Sequence, residues 1–227
     1  MQPFKILQKS TLNLKDANRK VAMDEYYDLF LKKFGAAIKR QEVPKSSIAK
    51  YKGKLPDQLI YYWEEYGWSG FGNGILWIVN PQDYQSTLDQ LISSAGLPQH
   101  DNYHVIARSA FGELYVWGEK SGYSLSITSY MSRYSTRNST FTGSKSDLGV
   151  KVFFLSMNPE VINVADLFEP ALEKLGELDS DEMYGFVPAI ALGGSMELKN
   201  LQKVKVFEHL DLLSQLSPLQ DWGFPDV

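Results

Sequence analysis

Apolar residues recur at helical spacing over residues 22–38, at Ala22, Met23, Tyr26, Tyr27, Phe30, Leu31 and Phe34, with Gly35 near the end. That spacing predicts an amphipathic helix. Residues 40–54 are polar and proline-bearing and read as a loop. A second helix starts at Leu55-Pro56-Asp57, where proline costs no N–H in the first turn and Asp57 suits the positive helix end. It carries Leu59, Ile60, Tyr62 and Trp63 and stops at Tyr66-Gly67. The glycine-rich residues 68–74 read as a turn, and 75–79 as a buried strand closed by Asn80-Pro81. A third helix over 82–93 turns Tyr84, Leu88, Leu91 and Ile92 inward. Three strands at hairpin spacing follow, at 103–107, 113–117 and 123–127, which predicts an antiparallel meander.

The second half begins with a Ser/Thr-rich polar segment, 132–147, expected as a loop and domain boundary. The run 150–155 reads as a strand and 164–175 as a helix closed by Gly176. The acidic stretch 177–182 leads into Tyr184-Gly185-Phe186-Val187-Pro188. A last helix, Val206–Leu216, sets Phe207, Leu210, Leu213 and Leu216 on one face. These elements predict an α+β fold, with helices packed on one side of a largely antiparallel sheet and two closely associated modules. The expected division is 1–131 with the N-terminal helix, the loop 132–147, and 148–227.

Composition narrows the chemistry. The chain has 227 residues, 44% hydrophobic and 22% charged, enough to bury a sizeable core. With no cysteine, disulfide scaffolds, Cys-ligated metals and a thiol nucleophile are excluded. The first thirty residues lack the apolar core of a signal peptide, and no run reaches the ~18 apolar residues of a membrane span. A soluble, cytoplasmic protein without membrane contact is therefore expected. Residues 1–54 hold 13 Lys/Arg against 5 Asp/Glu (+8), and the remainder holds 10 against 22 (−12), giving the net −4. The early basic charges are scattered, which reads as solvated surface; direct nucleic-acid binding is the weaker variant. The acidic body disfavours nucleic acid and favours a basic protein partner.

Catalytic constellations are not evident. The three histidines are His100, His104 and His209, and His100 and His104 lack the helix that makes i, i+4 spacing a metal site. There is no Gly-x-Ser-x-Gly elbow. The glycines of 67–74 follow a helix and precede a strand, the reverse of a phosphate loop. Glu64-Glu65 and Asp181-Glu182 are adjacent pairs that point apart. No enzyme activity, cofactor or metal is expected.

Several strings resemble known families. Leu55-Pro56, Phe71, Gly74, Trp77, Asn80-Pro81, Tyr84, Ala107-Arg108, Ala110-Phe111-Gly112-Glu113-Leu114 and Trp117-Gly118 resemble the bacterial GAD-like domain. Leu167-Phe168, Leu175-Gly176, Asp181-Glu182-Met183-Tyr184-Gly185-Phe186, Pro188-Ala189, Leu192-Gly193-Gly194 and Glu208-His209-Leu210 resemble the C-terminal domain of type VI secretion immunity proteins that neutralise DNase effectors. The resemblance covers about residues 20–218, in the family's order. It implies a non-enzymatic protein that binds and neutralises a cognate nuclease toxin in the cytoplasm, through stoichiometric inhibition.

Charge and turn placement nominate the partner-binding residues: Glu177, Asp179, Asp181 and Glu182 with Tyr184, and the turn residues Trp68, Phe71 and Asn73. Tryptophan is enriched in interface hot spots, and Trp68 stands in a glycine-rich turn. The competing assignment for Trp68, Phe71 and Tyr184 is core packing. Two other classes remain open: an orphan protein-interaction or regulatory module without a toxin partner, and an enzyme or small-ligand protein with a polar pocket between the modules.

Overall fold

Eight strands form one sheet in the order β1 (Ile38–Gln41), β2 (Trp68–Phe71), β3 (Leu76–Ile78), β4 (Tyr103–Ser109), β5 (Glu113–Gly118), β6 (Gly122–Thr128), β7 (Arg133–Thr136) and β10 (Gln220–Asp221). The computed structural model describes residues 24–97 and 101–223, so His100 and the first residues of the predicted 22–38 helix lie outside them. All neighbours are antiparallel except β10, which runs parallel to β7. The remaining strands, β8 (Glu182–Phe186) and β9 (Leu201–Lys205), pair antiparallel as a separate ribbon.

The helices are α1 (Glu25–Phe34), α2 (Lys45–Tyr51), α3 (Asp57–Tyr66), α4 (Pro81–Ser94), α5 (Ser146–Ser156), the short α6 (Pro159–Ile162), α7 (Phe168–Leu175) and α8 (Val206–Leu216). Their ends follow local chemistry. Asp24 caps α1 by accepting from Tyr26 N, Asn80 caps α4 by accepting from Gln82 N with proline in the first turn, and Gly35, Gly67 and Gly176 end α1, α3 and α7.

Several expectations are corrected, among them the helix over 164–175, which starts only at Phe168 after a separate turn at Val164–Asp166. Residues 40–54 are not loop throughout: they finish β1 and form α2, with Tyr51 buried. Residues 68–74 are not simply a turn, because Trp68–Phe71 is a fully buried strand and only Gly72–Gly74 turns. Residues 132–147 are not all loop, since β7 extends the sheet before the chain leaves it. The largest departure is 150–155, which is helix α5 rather than strand. An apolar run of six fits either state by periodicity. Tertiary contact decides it: Gly149, Val150, Phe153 and Phe154 form one buried face, while Lys151 reaches Asp24 at 3.3 Å. Asp24 also accepts from Tyr62 Oη at 2.6 Å, and Asp147 accepts from Gln58 N at 2.9 Å, so α5 is tied to the starts of α1 and α3.

The sheet is covered on both faces, not one. Ala107 pairs with Tyr115 and Arg108 with Leu114, so Tyr115 and Arg108 point to opposite sides. On Tyr115's side lies α5, whose Phe153 meets Tyr115 and Tyr123 and whose Phe154 meets Tyr27 and Tyr62 of α1 and α3. On Arg108's side lie α4, α8 and the β8–β9 ribbon, joined by Arg108 Nε on Tyr84 Oη and by Tyr84 against Phe207. Tyr184 N donates to Ala110 O at 2.8 Å, seating the ribbon on the β4–β5 turn. Gly112 in that turn has φ +83°, a backbone conformation that favours glycine, and an added Cβ would press on the Met183 methyl at 2.5 Å.

His209 is buried on the inner face of α8. Loss of solvation holds its imidazole below the ordinary value, so the folded state prefers the neutral ring. The unfolded chain takes up the proton first as pH falls through about 6.5, and this contribution to stability is lost below that pH. Thermal midpoints measured from pH 7 to pH 5 are expected to fall less steeply in His209→Gln than in the native protein. Parallel slopes would remove His209 from the acid response.

A candidate partner-binding seam between the modules

The two nominated segments, distant in sequence, meet at the edge of the sheet. Lys39 of β1 donates to Asp179 Oδ1 at 2.6 Å and stands 3.8 Å from Glu177 Oε2, while Gln41 Nε2 donates to Ser180 Oγ at 2.8 Å. These side chains bridge β1 to the acidic segment. On one side of the bridge lies an open cavity of about 480 Å³ lined by Asn73, Ile38, Leu172 and Glu177. On the other lies a smaller one of about 160 Å³ shared by Trp68, Tyr84, Asp181 and Phe207.

The acidic segment is not a bare negative patch. Glu182 accepts from Asp179 N at 2.9 Å and pairs with Lys203 at 3.1 Å, and Lys205 pairs with Asp181 at 2.7 Å. Burial pushes the Glu182 carboxyl upward, but the Asp179 N–H and the Lys203 ammonium outweigh it and hold it below the ordinary range. The hydrogen bond from Lys39 holds Asp179 down and, reciprocally, raises Lys39; Asp181 raises Lys205 in the same way. Four carboxylates thus face three ammonium groups. Glu177 and Asp179 keep 74% and 64% of their side-chain surface exposed, against 17% for Glu182. The first two are open to a partner, and Glu182 is a fastener.

Phe71 and Tyr184 are placed in the core. Phe71 is fully buried 5.1 Å from Phe30, and Tyr184 is fully buried with its hydroxyl donating to Gly176 O at 2.8 Å. Burial pushes the Tyr184 phenol up to about 12. Both fill space under the seam rather than facing outward. Asn73 is exposed at φ +57° between Gly72 and Gly74. Trp68 is nearly buried, edge-on to Trp63, and its indole N–H has no hydrogen-bond partner among the described residues.

Sequence reasoning missed the residue that fixes the seam. Arg108 of β4 is fully buried, with Nη2 donating to Ser180 O at 2.9 Å and Glu182 O at 2.8 Å, Nη1 to Ser109 O at 3.2 Å and Nε to Tyr84 Oη at 2.9 Å. Its guanidinium lies 5.2 Å from the Trp77 ring centre. All four acceptors are neutral, so Arg108 holds the acidic segment by its backbone and leaves the carboxylates outside. An arginine directly after the apolar run Val105-Ile106-Ala107 is the available signal. Among the described residues no group of three or more His, Asp or Glu side chains could hold a metal ion, and no helix is long and apolar enough to cross a membrane.

This arrangement is an α+β fold in which the first and second halves of the chain meet along the β1 edge of the sheet. Residues 25–131 match the GAD-like domain, and residues 147–217 match the C-terminal domain of the type VI secretion immunity protein Tdi1. The chain is thus similar, in this order, to a GAD-like domain and a Tdi1-type immunity C-terminal domain. Its fold is similar to the crystal structure of Atu4351 from Agrobacterium tumefaciens, with a TM-score of 0.76 and 21% identity over 88% of this chain and 94% of that one. Among curated proteins nothing matches.

Proposed function

We propose that the protein binds a cognate type VI secretion nuclease, a DNase effector, and neutralises it by stoichiometric protein–protein inhibition rather than by catalysis, with the seam as its contact surface. The match of residues 147–217 to the Tdi1 immunity domain carries this reading. The seam supports it. A nuclease presents Lys and Arg to phosphates, and Glu177 and Asp179 offer exposed carboxylates beside two cavities. Such complementarity speeds association and blocks the surface that DNA would use. Trp68, Asn73 and the exposed Asp181 flank the contact; Glu182 fastens it from within.

Survival on co-expression with the effector encoded beside it, together with co-purification as a complex of fixed stoichiometry, is the expected result. Survival without a complex would replace inhibition by enzymatic detoxification, and death despite good expression would leave an orphan interaction module. Within the complex, Glu177→Lys with Asp179→Lys is expected to weaken binding at least tenfold at low salt and to flatten its salt dependence. The unfolding midpoint should fall slightly, because both side chains are exposed but Asp179 gives up its ion pair with Lys39. Unchanged affinity would move the contact surface elsewhere. Reversing Glu182 is the poorer test, since it would also unfasten the segment from Lys203 and Asp179 N.

A further inference from the structure

The smaller cavity needs both modules. Trp68, Trp77 and Tyr84 come from β2, β3 and the first turn of α4, whereas Ser180, Asp181 and Phe207 come from the segment before β8 and the start of α8. Tyr84 and Phe207 meet edge to face at 5.0 Å, and the space of about 160 Å³ suits one side chain. Asp83 and Asp181 stand among its lining residues, and both carry exposed carboxylates.

Each kind of surface in this pocket already holds a cation supplied by the chain itself. The Trp77 ring carries the Arg108 guanidinium at 5.2 Å, and Asp181 carries the Lys205 ammonium at 2.7 Å. Aromatic faces attract cations in this way. Lys205 is about half exposed, so an incoming cation can replace it at Asp181 with little loss. Asp83 accepts from the Asn80 side chain at 3.0 Å and makes no ion pair among the described residues.

We infer that this pocket is the socket for a single lysine or arginine side chain of the nuclease, its alkyl stem between Trp68, Tyr84 and Phe207 and its head group at Asp83 and Asp181. The inference rests on the proposed nuclease partner. The head group enters first and the apolar stem follows, lying against the aromatic wall at the rim. Arg108, closed off behind Tyr84 and Trp77, limits the depth: its like charge stops the incoming head group at the two carboxylates. A residue seated here is withdrawn from DNA, so the socket couples anchoring to inhibition.

Two arms test it. In the first, N-acetyl-arginine amide and its neutral counterpart N-acetyl-citrulline amide are titrated into the isotope-labelled full chain while the tryptophan indole N–H signals are followed. The arginine probe is expected to shift the Trp68 and Trp77 signals at millimolar concentration. Asp83→Asn with Asp181→Asn should weaken that response at least tenfold, and the citrulline probe should leave it absent. An equal response to citrulline, or none to arginine, overturns the socket. In the second arm the same double variant is expected to weaken the complex with the effector at least thirtyfold, and an unchanged complex again overturns the socket. If the arginine probe binds but the native chain forms no complex, the nuclease reading falls while the cation socket stands.

Discussion

Replacing Arg108 with methionine is expected to destabilise the protein by about 3–5 kcal/mol, one of the two largest effects of any single substitution here. Methionine matches much of the side chain's length but supplies no donor. Tyr84 Oη and the carbonyls of Ser180 and Glu182 would lose this donor, while Ser109 O would keep Gly112 N. Unmet buried acceptors cost more than the hydrogen bonds contribute net, and bonds from a charged donor are the stronger kind. Arg108→Lys should recover only a fraction, because one ammonium cannot reach acceptors spread around a planar guanidinium. Urea unfolding would show the loss as a lower midpoint at unchanged slope. A loss below about 1 kcal/mol would mean that the seam is held elsewhere.

The second large effect is expected at Phe154. It is fully buried in α5, with ring contacts at 5.1–5.3 Å to Tyr27, Phe30, Tyr62 and Phe153. Truncation to alanine removes most of that ring packing and should cost about 3–5 kcal/mol, as phenylalanine cavities do. The same geometry makes a stronger statement about the modules. Helix α5 follows the polar segment in sequence, yet it supplies the floor on which α1 and α3 pack. A fragment of residues 24–131 would expose Tyr27, Phe30 and Tyr62 to water. It is expected to show no cooperative unfolding transition by circular dichroism. A sharp two-state transition from that fragment would establish that the GAD-like domain folds alone.

What the sequence disclosed follows the range of the forces involved. Helix α8 is found where the apolar face of Phe207, Leu210 and Leu213 predicts it, and the β4–β5–β6 meander sits within two residues of its expected bounds, because period and turn glycines are local signals. Helix α5 was misread because Val150 to Leu155 is apolar at nearly every position, and only the neighbours α1 and α3 select one face. Strand β2 hid behind its glycines: Gly70 is there because the Trp77 ring and Ile38 crowd its Cα, with 3.0–3.1 Å left for a Cβ. The seam was half legible. Glu177 and Asp179 are accessible, as their charge suggests, but Lys39 bonds to Asp179 from 140 positions away, and no local pattern records such a pairing. The aromatic nominees divided by burial, with Phe71 and Tyr184 in the core and Trp68 lining a cavity.

The parallel pairing of β10 with β7 sets an order of events during synthesis. Gln220 and Asp221 face Arg133 and Tyr134, and Gln220 N donates to Ser132 O. Between Thr136 and Gln220 the ribosome must make the whole immunity-type module, which takes about 4–17 s at ~5–20 residues per second. Throughout that interval the outer edge of β7 has its N–H and C=O groups unpaired, and once α5 has been made the rest of the sheet can form beside that open edge. An edge in that state invites pairing with another nascent chain. The serines, threonines and arginines of 132–137 make it a poor template for such pairing, so the polar composition that hid β7 as a strand also protects the growing chain until its own last strand arrives.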